Sequence, residues 1–196
     1  MKTVNLIDLF HRQVVKGRDA VALRHRRDGL WNTISWQRWE ELSTSVAAGL
    51  LSFGLEKGES VALLARNSGS WMVSDVGILM AGGVPVPVPL GLTEEELAHV
   101  LADCRARVVI CDCPYYLSKL MRACVAKAPG FDKVLLLNDE CIIPAGPNKG
   151  DLLSLADLFE KDVPSWLIDF DEFLVYGEEQ IPRFRGALDG LREADI

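Results

Sequence analysis

Three short, nearly unbroken apolar runs, VALLA (61–65), RVVIC (107–111) and KVLLL (133–137), constrain this chain more than any other feature. They are too brief for buried helices of ordinary length and do not alternate apolar with polar, so they read as strands. VALLA in particular reads as a strand covered on both faces. The stretches between them carry helical spacing instead. Such alternation implies parallel strands joined by right-handed crossovers, with helices packed on the sheet.

The helical stretches carry their own start and stop signals. Asn5 is a plausible cap for a helix in which Leu6, Leu9, Phe10 and Val14 form the apolar face. Residues 20–27 and 30–35 flank Asp28-Gly29, a pair suited to positive φ, and predict a β-hairpin. Ser35 then caps a helix whose stripe is Trp39, Leu42, Val46, Leu50 and Phe53, stopped by Gly54. Residues 71–81 are apolar nearly all round and predict a buried helix ending at Gly82-Gly83.

In VPVPVPL (84–90) the prolines at 85, 87 and 89 alternate with valines. Alternate residues of a strand aim their amides to the same side, so these prolines strip donors from one side only, which predicts an edge or bent strand. Thr93 and Glu96 form a capping box for a helix buried through Leu97, Val100, Leu101 and Cys104. A helix from Tyr115 to Ala128 precedes the last apolar run. Residues 139–150 read as loop, and 151–160 and 169–176 as short peripheral helices. The expected architecture is α/β, a mostly parallel sheet with helices on both faces, preceded by a β-hairpin. Residues 1–150 form the α/β subdomain and 151–196 an acidic helical extension.

Charge follows the same division. Residues 1–149 are close to neutral at +1, whereas 150–196 carry −8. The net charge of −7 argues against nucleic acid as a partner. No apolar stretch is long enough for a membrane span, and the N-terminus lacks the pattern of a secretory signal. A cytoplasmic protein is expected, and five cysteines (104, 111, 113, 124 and 141) fit free thiols in a reducing compartment.

Candidate chemistry is sparse. Cys111 and Cys113 could share a strand face and chelate a metal with Cys104 or a His, but zinc-like spacing is absent and small buried thiols are the favoured reading. The segment Ala145-Gly146-Pro147-Asn148-Lys149-Gly150 reads as a surface turn, since a proline stands where a phosphate loop needs an amide. Arg24-His25-Arg26-Arg27 could meet phosphate, although solvated hairpin charges explain it more simply. Asp75 is the sole acid of an apolar helix and reads as structural. His11, His25 and His99 are scattered. No residue is assigned as catalytic, cofactor-binding or metal-binding.

A family resemblance spans residues 34–112. Ala47-Ala48-Gly49-Leu50, Gly54-Leu55, Gly58-Glu59, Asn67 with Trp71, Gly82-Gly83-Val84, Val86-Pro87 and Thr93-Glu94-Glu95 follow one another in the order and spacing found in the adenylate-forming enzymes. The run resembles long-chain fatty-acid–CoA ligases in particular, with Glu59 where Asp is usual and an unusually proline-rich Val-Pro repeat. Residues 177–196 look like the acidic lead-in to that family's phosphate loop.

The resemblance implies a two-step ligase. A fatty carboxylate attacks the α-phosphate of Mg·ATP to give acyl-adenylate, and coenzyme A then displaces AMP. ATP, Mg and coenzyme A would be held by downstream segments of a parent enzyme, and none is expected to bind residues 1–196. Asn67, Trp71 and Pro87 would be architectural. The expectation is an N-terminal piece, inactive alone, able to self-associate through a surface the rest would cover, from a parent that is cytoplasmic, either free or membrane-peripheral. The alternatives are a free-standing, non-catalytic interaction module and a piece of an aromatic- or amino-acid-adenylating enzyme.

Overall fold

A computed structural model describes residues 5–27, 30–127, 131–138, 140–142, 144, 147–159 and 162–193. In chain order the elements are α1 (Leu6–Gly17), β1 (Val21–Arg27), β2 (Leu30–Ser35), α2 (Trp36–Ser52), β3 (Ser60–Leu64), α3 (Gly69–Met80), β4 (Val84–Pro87) and α4 (Glu94–Cys104). There follow β5 (Val108–Cys111), α5 (Pro114–Lys127), β6 (Lys133–Leu136), β7 (Glu140–Ile142), β8 (Leu152–Ser154), α6 (Leu155–Phe159), β9 (Leu167–Asp169) and α7 (Phe170–Glu193). The architecture is α/β, with a mostly parallel sheet flanked by helices and a separate antiparallel hairpin.

The chain divides into two compact units. The first comprises residues 1–59, 67–84 and 173–196 and is built from α1, the hairpin, α2, α3 and most of α7. Its caps follow the sequence: Asn5 Oδ1 accepts from Asp8 N at 2.7 Å and Ser35 Oγ from Arg38 N at 3.2 Å. Gly54, at φ 81°, takes the left-handed conformation that ends α2. Helices α2 and α3 approach closely, because a Cβ on Gly77 would lie 2.6 Å from Val46 and 2.9 Å from the Ser43 carbonyl. Two side chains fix their register: Trp39 Nε1 donates to Met72 O at 3.2 Å and Ser43 Oγ to Val73 O at 3.0 Å. On α1 the buried stripe is Ile7, Phe10 and Val14, with Phe10 edge-on to Trp39. Leu6 and Leu9, expected inside, are exposed, since the helix is rotated to aim Phe10 at the Trp36–Trp39 stack.

The second unit, residues 60–66 and 85–172, holds the sheet, in the order β4-β3-β5-β6-β9. β3, β5, β6 and β9 pair in parallel, with Val61 opposite Val108, Val108 opposite Lys133 and Val134 opposite Leu167. Every residue of Val61–Leu64 and Val108–Cys111 is buried whichever way its side chain points, as their unbroken apolar sequence requires. Leu97 and Leu101 of α4, with Leu117 and Leu120 of α5, pack on Ala62, Val109, Val134 and their neighbours. The capping box of Thr93 and Glu96 is formed. β4 is an edge strand: Val88 N donates to Leu63 O at 2.9 Å and Val84 N to Glu59 O at 2.8 Å, while the intervening prolines fall on the unpaired side.

The C-terminal quarter departs from expectation. Within the stretch read as loop, Glu140–Ile142 pairs antiparallel with Leu152–Ser154. Residues 155–159 keep one turn of the helix expected over 151–160, and Leu167–Asp169 joins the sheet as its far edge. The second short helix is instead a 24-residue helix running on through Pro182. The Asp28-Gly29 turn, Ala128 and Ala145-Gly146 lie outside the described residues. No helix among those described is long and apolar enough to cross a membrane.

Candidate functional site

The strand order locates the candidate site. From β3 the chain crosses to β4 on one side; from β5 it proceeds to β6 and β9 on the other. The connections therefore diverge between β3 and β5, and in open α/β sheets the crevice at the carboxyl ends of such diverging strands is the usual place for a ligand.

Three polar side chains meet there. Arg66 lies two residues beyond β3, Asp112 directly follows β5, and Asn138 lies two residues beyond β6. The ladder carries on past the strand ends, with Asp112 N donating to Leu64 O at 3.0 Å and Leu137 N to Cys111 O at 2.9 Å, so all three loops are held in register. The Asp112 side chain is 3% exposed, and its Oδ2 accepts from Arg66 Nε. Asn138 Nδ2 donates both to Asp112 O at 2.9 Å and to its Oδ1 at 3.1 Å. A buried carboxylate needs such partners. The hydrogen bond to Asp112 also raises the Arg66 pKa, against the smaller opposing effect of burial.

The surroundings are apolar and short of protons to exchange. Tyr116, in the first turn of α5, is buried and its phenol is pushed up by burial. Burial raises Cys111 well above the ordinary thiol range. It also raises Cys113 to about 12, helped by the neighbouring Cys141. A carboxylate locked between a guanidinium and an amide is a positioning device for three loop ends; a proton shuttle would need a partner free to exchange. The Arg66 side chain is 60% exposed and its charge is matched by the buried Asp112 carboxylate.

Of the residues singled out in the sequence, only the thiols of Cys111, Cys113 and Cys141 lie by these strand ends. Asn67 is exposed, and Trp71 is half-buried with its amide donating to Ser68 Oγ, the cap of α3. Pro87 is on the sheet edge, and Asp75 is half-buried on α3 with its carboxyl raised by burial. His11 Nδ1 is 2.7 Å from Glu40 Oε1, His25 stands against Gly69 and His99 is exposed. Pro147–Gly150 is an exposed turn. All five thiols are free, and among the described residues no three His, Cys, Asp or Glu side chains gather into a group that could hold a metal. Arg66, Asp112 and Asn138 carry no local motif; their signal is the strand order, which only the fold supplies.

The family model for AMP-binding enzymes matches residues 10–158. The chain belongs to the AMP-binding enzyme family. Among curated members, a long-chain-fatty-acid–CoA ligase from Bos taurus is 32% identical over 114 residues, which is 58% of this chain and 16% of that protein. Another, from Xenopus laevis, is 29% identical over 119 residues, 61% of this chain and again 16% of the relative. The chain thus spans only a small part of the length of these AMP-binding enzymes. Solved structures of the family share the fold. An anthranilate CoA ligase in complex with anthranoyl-AMP superposes over 90% of this chain and 29% of its own, with a TM-score of 0.69 at 21% identity. The didomain of a carboxylic acid reductase from Segniliparus rugosus, in complex with AMP, covers 91% of this chain and 27% of its own, at 0.71 and 16%.

Proposed function

We propose that these residues are the N-terminal portion of an ATP-dependent ligase that converts a long-chain fatty acid to its acyl-adenylate and then to acyl-CoA. What supports the reading is the 32% identity over 114 residues to a long-chain-fatty-acid–CoA ligase, within a family match that covers most of the chain. Residues 1–150 act as the α/β subdomain, and 151–196 extend toward a phosphate-binding segment supplied by the rest of the enzyme. ATP and coenzyme A are bound by that remainder. The contribution of this chain is architectural: Asp112 ties the loops after β3, β5 and β6 into one rigid rim, and rigid loop ends are what allow groups brought by other segments to be held in reactive geometry. A long-chain fatty acid partitions into lipid, so the parent works at a membrane surface as a peripheral protein.

ATP–pyrophosphate exchange tests this reading. With palmitate, the 196-residue chain gives background exchange, whereas a polypeptide extended through the downstream coding sequence exchanges pyrophosphate in a fatty-acid-dependent way. Exchange by the 196-residue chain overturns its architectural role, and an extended protein active only with aromatic or amino acids overturns the substrate class.

A further inference from the structure

Cys113 and Cys141 come together beside Asp112, and the ligase reading uses neither thiol. The ladder between β5 and β6 brings them there. Leu137 N donates to Cys111 O at 2.9 Å and Asn138 Nδ2 to Asp112 O, so the chain leaving β6 follows the chain leaving β5, and β7 then runs against α5. Cys141, on β7, packs on the apolar cluster that holds Cys113, Tyr116 and Leu117, with its side chain in hydrogen-bonding reach of the Cys113 thiol. The two differ in access: Cys113 is 1% exposed, whereas Cys141 is half-buried. The other cysteines turn elsewhere. Cys111 Sγ is 3.8 Å from the Cys113 carbonyl oxygen, Cys104 Sγ is 3.6 Å from Leu101 O within α4, and Cys124 lies in the second half of α5.

We infer that Cys141 is a site of oxidation by hydrogen peroxide and that Cys113 resolves it into a reversible intramolecular disulfide. Access sets the order, because peroxide reaches a sulfur from solvent and only Cys141 of the pair offers one. The Cys141 thiolate attacks one peroxide oxygen; the O–O bond breaks, the sulfur is oxidised to a sulfenic acid, and the second oxygen leaves as hydroxide, which takes up the thiol proton as water. The Cys113 sulfur then attacks the sulfenic sulfur. An S–S bond forms, the S–O bond breaks, and the Cys113 proton leaves with the hydroxide, so two thiols and one peroxide give one disulfide and two waters. Burial, with the Cys141 contact, keeps Cys113 protonated up to about 12 and withholds it from the first step. The Tyr116 amide, in the first turn of α5, faces the Cys113 sulfur and favours negative charge there during the second. The bridge fastens β7 to the junction of β5 and α5, beside the contact through which Asn138 holds Asp112. Oxidation thereby tightens the loop ends around the crevice.

The test treats the folded, reduced chain with hydrogen peroxide at pH 8, blocks remaining thiols with iodoacetamide in urea, and maps peptides by tandem mass spectrometry that separates Cys111 from Cys113. The wild type is expected to lose two of its five thiols and to carry a link between Cys113 and Cys141 that dithiothreitol reopens. The linked chain should melt about 5 °C above the reduced one. In Cys113→Ser, dimedone should trap a sulfenic acid on Cys141; in Cys141→Ser, Cys113 should oxidise at least about tenfold more slowly than the wild-type pair. The wild-type map decides the pairing even where a variant fails to fold. A wild type that keeps all five thiols overturns the proposal, as does a link through another cysteine or between two chains. Sulfinic acid on Cys141 with no link overturns the resolving role of Cys113, and oxidation of Cys113 at the wild-type rate in Cys141→Ser overturns the order of attack. A link that lowers the melting temperature overturns the tightening, since the thiols would then meet only in a distorted chain.

Discussion

The side-chain amide of Asn138 grips Asp112 at two points, donating to its backbone oxygen at 2.9 Å and to its carboxylate at 3.1 Å. Asp112 is nearly fully buried, so the contact fastens the end of β6 to the end of β5 in the absence of competing water. Asn138→Ala leaves a buried carboxylate short of a donor and is expected to cost about 1–3 kcal/mol. Asn138→Asp should cost more, because a second carboxylate would face the first. Urea unfolding followed by tryptophan fluorescence checks both; an alanine variant as stable as wild type removes Asn138 from the rim.

A second prediction compares two glycines of α7. A Cβ on Gly177 would run into the backbone carbonyl of Ser45 on α2, which cannot swing away as a side chain would, whereas Gly186 has nothing within 4 Å. Gly177→Ala is therefore expected to destabilise by about 1–3 kcal/mol through overpacking. Gly186→Ala should stabilise by up to about 1 kcal/mol, since alanine is the better helix former and meets no obstacle. Thermal melts that move in the same direction for both variants would refute the close approach of α7 to α2.

These two cases mark where the sequence is readable. Local signals are: the caps at Asn5, Ser35 and Thr93, the stop at Gly54 and the proline-stripped edge at β4 all depend on residues a few positions apart, and all are found in the structure. What depends on partners distant in the chain is not. Leu6 and Leu9 fit the helical period as well as Ile7 does, and the aromatic stack of Trp36 and Trp39 decides which face turns inward. β7, β8 and β9 have three residues each, too few for a period to emerge, and exist because a neighbouring strand supplies their hydrogen bonds. In α7, Gly177 and Pro182 argue locally against a long helix, and packing of Phe173 and Gly177 on α2 prevails. The rim of Arg66, Asp112 and Asn138 is illegible for the same reason, as its residues are 46 and 26 positions apart.

Asp75 supplies a prediction about pH. Its carboxyl is raised above the ordinary 3.8 by burial in the apolar α3. As pH rises past that ordinary value, the unfolded chain releases this proton before the folded one does, so the folded state holds more protons and stability falls with rising pH until the raised folded pKa is passed. Asp75→Asn removes the penalty. The variant should melt higher than wild type at pH 7, and the gap should shrink as pH drops below about 4, where both forms are neutral. A gap that stays constant with pH would mean that Asp75 acts through packing or hydrogen bonding and not through its charge.

The buried thiols behave in the same sense at the alkaline end. Burial holds Cys111 well above its ordinary value of 9.0 and Cys113 at about 12. The thiolate is the reactive form, so at pH 8 iodoacetamide should leave both unmodified in the folded chain, while the partly exposed Cys104 and Cys141 are alkylated. In urea all five should react. Because the unfolded thiols ionise near 9 and the folded ones do not, stability is complete below that pH and declines as pH climbs from about 9 toward 12. Cys113→Ala should lessen the decline at the expense of a small cavity beside Tyr116, seen as a lower melting temperature at pH 7 and a shallower slope above pH 9. Rapid alkylation of Cys113 in the folded chain would show that the β5–α5 junction opens to solvent, and the rigid rim built on Asp112 would fall with it.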